Sequence, residues 1–254
     1  MWTDVIDLRD FYRSGRGRVA RRMVCRRIHE IWPDVKKMSV LGLGFATPYL
    51  DGFQEQSTRT FAAMPQGQGV LGQPQPGHNV LVDELELPFA DCSMDRVLLV
   101  HALECSEQVR PMLREIWRVL TDSGRLLVIA PNRRGLWARF ERTPFGHGQP
   151  YSSGQLSRLL RDNLFTPVVT ERALYMPPVS SGVLLSAAPA IETLGSCVFK
   201  SFAGVVMAEA TKQIYALSGD GQKSATRRYI RLPEHTGTGP ASRNAEIRKD
   251  VKTL

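Results

Sequence analysis

The stretch Met38-Ser39-Val40-Leu41-Gly42-Leu43-Gly44 constrains the fold of this chain most. It is a short apolar run without alternation that stops at glycine, as a parallel strand buried on both faces does. Thr47-Pro48 follows and reads as a helix start, with threonine as cap and proline in the first turn. Similar short runs recur. Arg59–Ala63 is a weak second strand, Asn79–Val82 a third and Arg96–Val100 a fourth. Residues 64–78 are rich in Gly, Pro and Gln and read as loop. Val109–Leu120 has helical periodicity, Thr121–Gly124 is a turn, and Arg125–Ala130 is a fifth strand ending at Pro131-Asn132. Strands alternating with helices predict an α/β fold, a mostly parallel seven-stranded sheet with helices on both faces. A ligand site then belongs beyond the carboxyl ends of the strands.

The flanks complete the pattern. Residues 4–32 read as helix in two pieces, broken at Ser14-Gly15-Arg16-Gly17 and ended by Pro33. Ser153–Asn163 and Ala187–Phe202 read as helices, and Val168–Tyr175 and Val205–Tyr215 alternate as strands that close the sheet. From Gly219 the sequence turns polar and loses periodicity. The expected organisation is an N-terminal helical segment over 1–37, the main α/β domain over 38–218 and a basic, disordered tail over 219–254.

Charge is uneven. The formal net charge is +8, yet residues 1–37 and 221–254 each carry +5, leaving −2 in between. Basic ends attract nucleic acid, acidic lipid or an acidic protein partner, although a solvated helix face and a polar tail explain them more simply. Aromatic residues are not interleaved with the basic ones as in single-strand binders. Four cysteines stand apart without a CxxC pair, and five histidines show no ligand spacing, so neither disulfides nor a metal site are expected. No apolar run reaches the roughly 18–20 residues of a membrane span, and the N-terminus lacks the apolar stretch of a secretory signal. The expected location is the cytoplasm.

Three stretches carry a resemblance. They are Val40-Leu41-Gly42-Leu43-Gly44-Phe45-Ala46-Thr47-Pro48; Asp83-Glu84-Leu85-Glu86-Leu87-Pro88-Phe89 with Met94–Glu104; and Leu113–Leu120 with Gly124–Val128. In this order and spacing they resemble class I S-adenosylmethionine-dependent methyltransferases, of the small-molecule, type 11-like kind that includes ubiquinone-biosynthesis enzymes. The wider chain, with Asp7–Tyr12 and Thr143–Gly148, looks like an alphaproteobacterial branch of unassigned substrate. The resemblance implies a Rossmann-like methyltransferase fold and S-adenosyl-L-methionine as cofactor.

It also implies site residues. The donor would lie over Gly42, Gly44, Phe45 and Ala46, with Met64 or the nearby Gln66 and Gln68 beside the ribose, and Asp83, Glu84 and Leu85 at the adenine. The family pattern has an acid and three glycines in the first turn. Here Gly42 stands for the acid, Gly44 for the first glycine, Ala46 for the second and Pro48 for the third. The donor motif is therefore degenerate. His101, at the end of the fourth strand, is a candidate to orient the acceptor or take a proton, or else is satisfied by backbone. His147 is a second such candidate. Asn132, Phe145, Tyr151 and Tyr12 would line a largely apolar acceptor pocket suited to a neutral or weakly polar molecule. Trp32, Trp117 and Trp137 read as packing residues, and Glu115 with Arg118 as a local pair. Three functions are in play: methyl transfer to a small molecule, a catalytically silent partner-binding module, and nucleic-acid methylation.

Overall fold

The computed structural model describes residues 4–69, 78–179, 181–198 and 200–214. The chain divides into Met1–Tyr215 and Ala216–Leu254, and the second unit, with the tail expected from composition, lies outside the described residues. Among the described residues no helix is long and apolar enough to cross a membrane.

Seven strands form one sheet: β1 (Ser39–Gly44), β2 (Arg59–Pro65), β3 (His78–Val82), β4 (Met94–Val100), β5 (Leu120–Pro131), β6 (Phe165–Ala173) and β7 (Val205–Lys212). Their order across the sheet is β3-β2-β1-β4-β5-β7-β6. Strands β1 to β5 pair in parallel, and β7 runs antiparallel to both β5 and β6. The ends of β1, β3, β4 and β5 therefore fall on one edge, as the expected ligand site requires.

The apolar strands sort their side chains by parity. Val40, Ala62, Leu98 and Leu127 face one core, while Leu41, Ala63, Val97 and Leu126 face the other. On the first face lie α1 (Val5–Arg13), α2 (Gly15–Ile31), α3 (Thr47–Gln54) and α7 (Ala188–Val198); on the second lie α4 (Val109–Val119) and α5 (Ser153–Asp162). The short α6 (Gly182–Ser186) precedes α7. Burial on both faces is why these strands show no polar alternation in sequence.

Local chemistry sets the helix boundaries. Ser14 is the sole residue between α1 and α2. It is extended, its amide donates to the carbonyls of Asp10 and Phe11, and its side chain accepts from the Gly17 amide. One serine thus ends one helix and starts the next. Helix α5 opens with a capping box, in which Ser152 and Gln155 exchange side-chain and backbone bonds. Two expectations shift. Helix α3 includes Thr47 as a helical residue and is preceded by Ala46 without a side-chain cap, and the Thr47 hydroxyl is buried and unpartnered. The expected turn at 121–124 belongs to β5, because Leu120 pairs with Met94 across an irregularity in the β4–β5 ladder.

Glu115 and Arg118 do more than pair with each other. Glu115 accepts from the Leu87 amide at 3.0 Å, and Arg118 donates to the carbonyls of Leu87 and Phe89. They bind α4 to the loop that follows β3. The indole of Trp32 donates to the buried Glu209 on β7, which also meets Arg125 on β5. Trp137 donates to the Met176 carbonyl.

Candidate functional site

The strand-end edge begins with a glycine. Gly44 has φ +84°, and a Cβ there would lie 2.2 Å from the Val100 carbonyl oxygen and 2.8 Å from the Ala102 Cβ. Only glycine combines that conformation with so close an approach of β1 to β4. Gly42 is required for a different reason. It faces α3, and a Cβ would meet the Ala46 Cβ at 2.6 Å and Leu50 at 2.7 Å. Helix α3 is packed onto β1 so closely that position 42 has no room for a side chain.

Beside this turn a cavity of about 360 Å³ opens at the carboxyl ends of β2, β3 and β4. Its walls include Pro65, Gln66, Gln68, Asp83, Glu84 and Leu85. The carboxylate of Asp83 accepts from the Leu85 amide at 2.9 Å, fixing the turn that presents all three residues. Glu84 accepts from the Ser106 hydroxyl. Cys105 also lines the cavity; burial, with Glu104 and Glu84 nearby, pushes its thiol up to about 12, so it stays protonated. Met64 lies in the core below, and Pro65 and Gln66 reach the cavity in its place.

Phe45, the residue after Gly44, belongs to a packed aromatic cluster. The Tyr12 ring stacks on Phe45 at 5.6 Å between centroids and 20° between planes. Its hydroxyl is 2.8 Å from both the Tyr49 hydroxyl and His101 Nε2. His101 Nδ1 is 3.0 Å from Glu104 Oε1. A tautomer with its proton on Nδ1 satisfies the whole chain: Tyr49 donates to Tyr12, Tyr12 to Nε2, and Nδ1 to Glu104. Burial holds both phenols far above their usual range, so they remain donors. Phe11 and Phe145 close the cluster edge-on, with Trp137 behind. His101 is 2% exposed and adopts φ +51°, a costly backbone for a residue with a Cβ.

Gln68 ties the cluster to the cavity. Its carbonyl accepts from the Val5 amide at the start of α1, and its side-chain amide donates to the His101 carbonyl. Three buried polar atoms around this edge have no partner: Thr47 Oγ1, Gln68 Oε1 and Glu104 Oε2. Each such atom costs about 1–3 kcal/mol.

The remaining sequence candidates lie further out. Asn132 is buried, and its side chain is used on backbone: Nδ2 donates to the Ser201 and Ala203 carbonyls, and Oδ1 accepts from the Arg134 amide. His147 Nε2 donates to the Glu141 carbonyl at 2.6 Å, within its own loop. Tyr151 is half-buried, pairs with Asn132 through a single bridge, and lines a depression that also contains Glu104. Sequence reasoning missed Tyr49, Glu104 and the Gln68 latch. Tyr49 and Gln68 meet partners from distant elements, which no spacing signals; Glu104 stands three residues after its partner His101, a spacing that could have pointed to it.

A family profile described as a methyltransferase domain matches residues 54–128. No curated protein matches the chain in sequence. Solved structures do match in fold. One is the 1,6-didemethyltoxoflavin-N1-methyltransferase of Burkholderia thailandensis, determined with 1,6-didemethyltoxoflavin and S-adenosylhomocysteine bound. It is 16% identical, the match covers 77% of this chain and 79% of that one, and the TM-score is 0.52. Another is a SAM-dependent methyltransferase of Thermotoga maritima, at 14% identity, 82% and 96% coverage and a TM-score of 0.56.

The fold is that of the class I methyltransferases.

The same fold also serves a protein named for another reaction, the [4+2]-cyclase SpnF, at 18% identity, 76% and 80% coverage and a TM-score of 0.53. Fold alone therefore does not fix the chemistry. The class I methyltransferase fold implies a donor with a nucleoside end and an amino-acid end. The residues fit the first: a cavity of the right place, near the low end of the roughly 300–1,000 Å³ usual for small-molecule sites, with amide and carboxylate groups on its walls. They do not fit the second in this conformation, because the Tyr12 ring packs on Phe45 and against Tyr49 at this turn and Gly42 offers no charge.

Proposed function

We propose that the protein is an S-adenosylmethionine-dependent methyltransferase acting on a small-molecule acceptor. The observation that carries this reading is the cavity against Asp83-Glu84-Leu85, at the strand ends and inside the region that matches the methyltransferase profile. Such a donor brings a methyl group already activated on a sulfonium, so the protein's task is proximity and alignment, worth up to roughly 7–11 kcal/mol.

In this reading Asp83, Glu84 and Leu85 receive the adenine end, with Gln66 beside the ribose. His101 is the proton-handling group of the edge. Glu104 on Nδ1 keeps Nε2 as the acceptor atom and fixes the ring, and Nε2 points at the hydroxyl of Tyr12. Phe145 and Tyr151 supply apolar wall on the acceptor side. Asn132 shapes the edge through its backbone bonds, and His147 orders the 141–147 loop.

Calorimetric titration with S-adenosylhomocysteine tests the reading. Asp83→Ala is expected to weaken binding several-fold. Asp83 is exposed and already engaged in its turn, so about 1 kcal/mol is at stake, less than for a buried charged bond. Equal affinity in a folded variant would remove Asp83 from the site.

A further inference from the structure

We propose that the strand-end cavity is a nucleoside site that excludes an attached amino acid for as long as α1 is seated. The proposal rests on the methyl-transfer reading for the identity of the nucleoside, an adenosine. What it adds is that the closed chain accepts the adenosine part alone, as in 5′-methylthioadenosine, and that an amino-acid end enters only when α1 leaves the edge.

Helix α1 is held over the edge at both ends. At its start the Val5 amide binds the Gln68 carbonyl at 2.8 Å, while the Gln68 side chain binds the His101 carbonyl. At its far end Phe11 and Tyr12 enter the aromatic cluster, each less than a tenth exposed. The Tyr12 ring lies on Phe45, the residue after Gly44, and its hydroxyl reaches both Tyr49 in the first turn of α3 and His101 at the end of β4. A ligand crossing the first turn toward α3 would have to occupy that ring's place. The cavity lies on the other side of the Gln68 latch, against Asp83 and Leu85.

The polar groups sort in the same way. Acceptors for an ammonium are missing at Gly42, where α3 leaves no room for a side chain. Two stand beside His101, whose carbonyl accepts from Gln68 and whose Nδ1 meets Glu104: Gln68 Oε1 and Glu104 Oε2 are buried without partners. Withdrawal of Tyr12 would open a route to them, and Ser14, the one residue between two helices, gives α1 a place to turn.

The test is calorimetric titration of the full chain with 5′-methylthioadenosine and with S-adenosylhomocysteine. The expected result is that the two bind within about threefold of each other, because the amino-acid end finds no place. In Phe11→Ala/Tyr12→Ala, S-adenosylhomocysteine should gain about tenfold while 5′-methylthioadenosine is unchanged. Tyr12→Phe keeps the ring and should keep the exclusion. Should S-adenosylhomocysteine bind the unaltered chain about tenfold more tightly than 5′-methylthioadenosine, the proposal fails and the methyl-transfer reading stands. A double variant that binds both more tightly, or a Tyr12→Phe variant that admits the amino acid, also overturns it. If neither compound binds, both the proposal and the methyl-transfer reading fall.

Discussion

Tyr12 and His101 stand 89 positions apart in sequence and share one hydrogen bond. Neither predicts the other, yet the bond joins α1 to the end of β4. The structure gives Gly42 a comparable burden. It reads in sequence as a lost carboxylate, and in three dimensions it is the residue that lets α3 approach β1. Restoring the acid should therefore fail. Gly42→Asp forces a side chain into Ala46 and Leu50 and buries a charge. Overpacking alone costs about 1–3 kcal/mol, and a domain of this size loses roughly 2–4 °C per kcal/mol. The expected outcome is a midpoint lowered by several degrees in thermal unfolding, with no gain in S-adenosylhomocysteine affinity. A stable variant with tighter binding would show that α3 yields and that position 42 faces the donor.

At the scale of elements, α4 is fastened to the loop after β3 by Glu115 and Arg118. Hydrogen bonding to Arg118, aided by the Leu87 amide, holds the Glu115 carboxyl below the usual carboxylate range, and Arg118 is raised in turn. A carboxyl depressed in the folded state stabilises the fold above its unfolded pKa, and that contribution is lost as the pH falls through the folded value. Glu115→Gln should thus lower the midpoint at neutral pH and converge with the unaltered chain below the carboxylate range. Both groups are partly exposed, so about 1 kcal/mol, or roughly 2–4 °C, is the expected size. A difference that persists unchanged in acid would mean that shape, and not charge, joins α4 to the loop. The pair itself was legible from its spacing of three on one helix; the carbonyls of Leu87 and Phe89 were not, since nothing in the sequence brings that loop to α4.

For the whole molecule, length and composition bear on what belongs to the fold. Residues 221–254 carry +5 and few apolar side chains, a composition expected to add little to the stability of the rest. Removing them is expected to leave the thermal midpoint of the rest nearly unchanged, and a large drop would show that they pack on it. Within the described residues, the apolar runs ending at Gly44, Val82, Val100 and Pro131 determined the parallel sheet and its ligand edge. Strands buried on both faces must be short and apolar, and each must end where the chain turns back. The helix break, which falls at Ser14 alone within the expected Ser14–Gly17 stretch, and the periodicity of α4 were equally local. What only the tertiary structure decided is what lies on that edge. Tyr12, Tyr49, Gln68, His101 and Glu104 come from α1, α3, the loop after β2 and the end of β4. Hydrogen bonds among buried polar groups depend on where whole elements pack, so a sequence can name the candidate residues without disclosing that α1 sits on the edge and fills it.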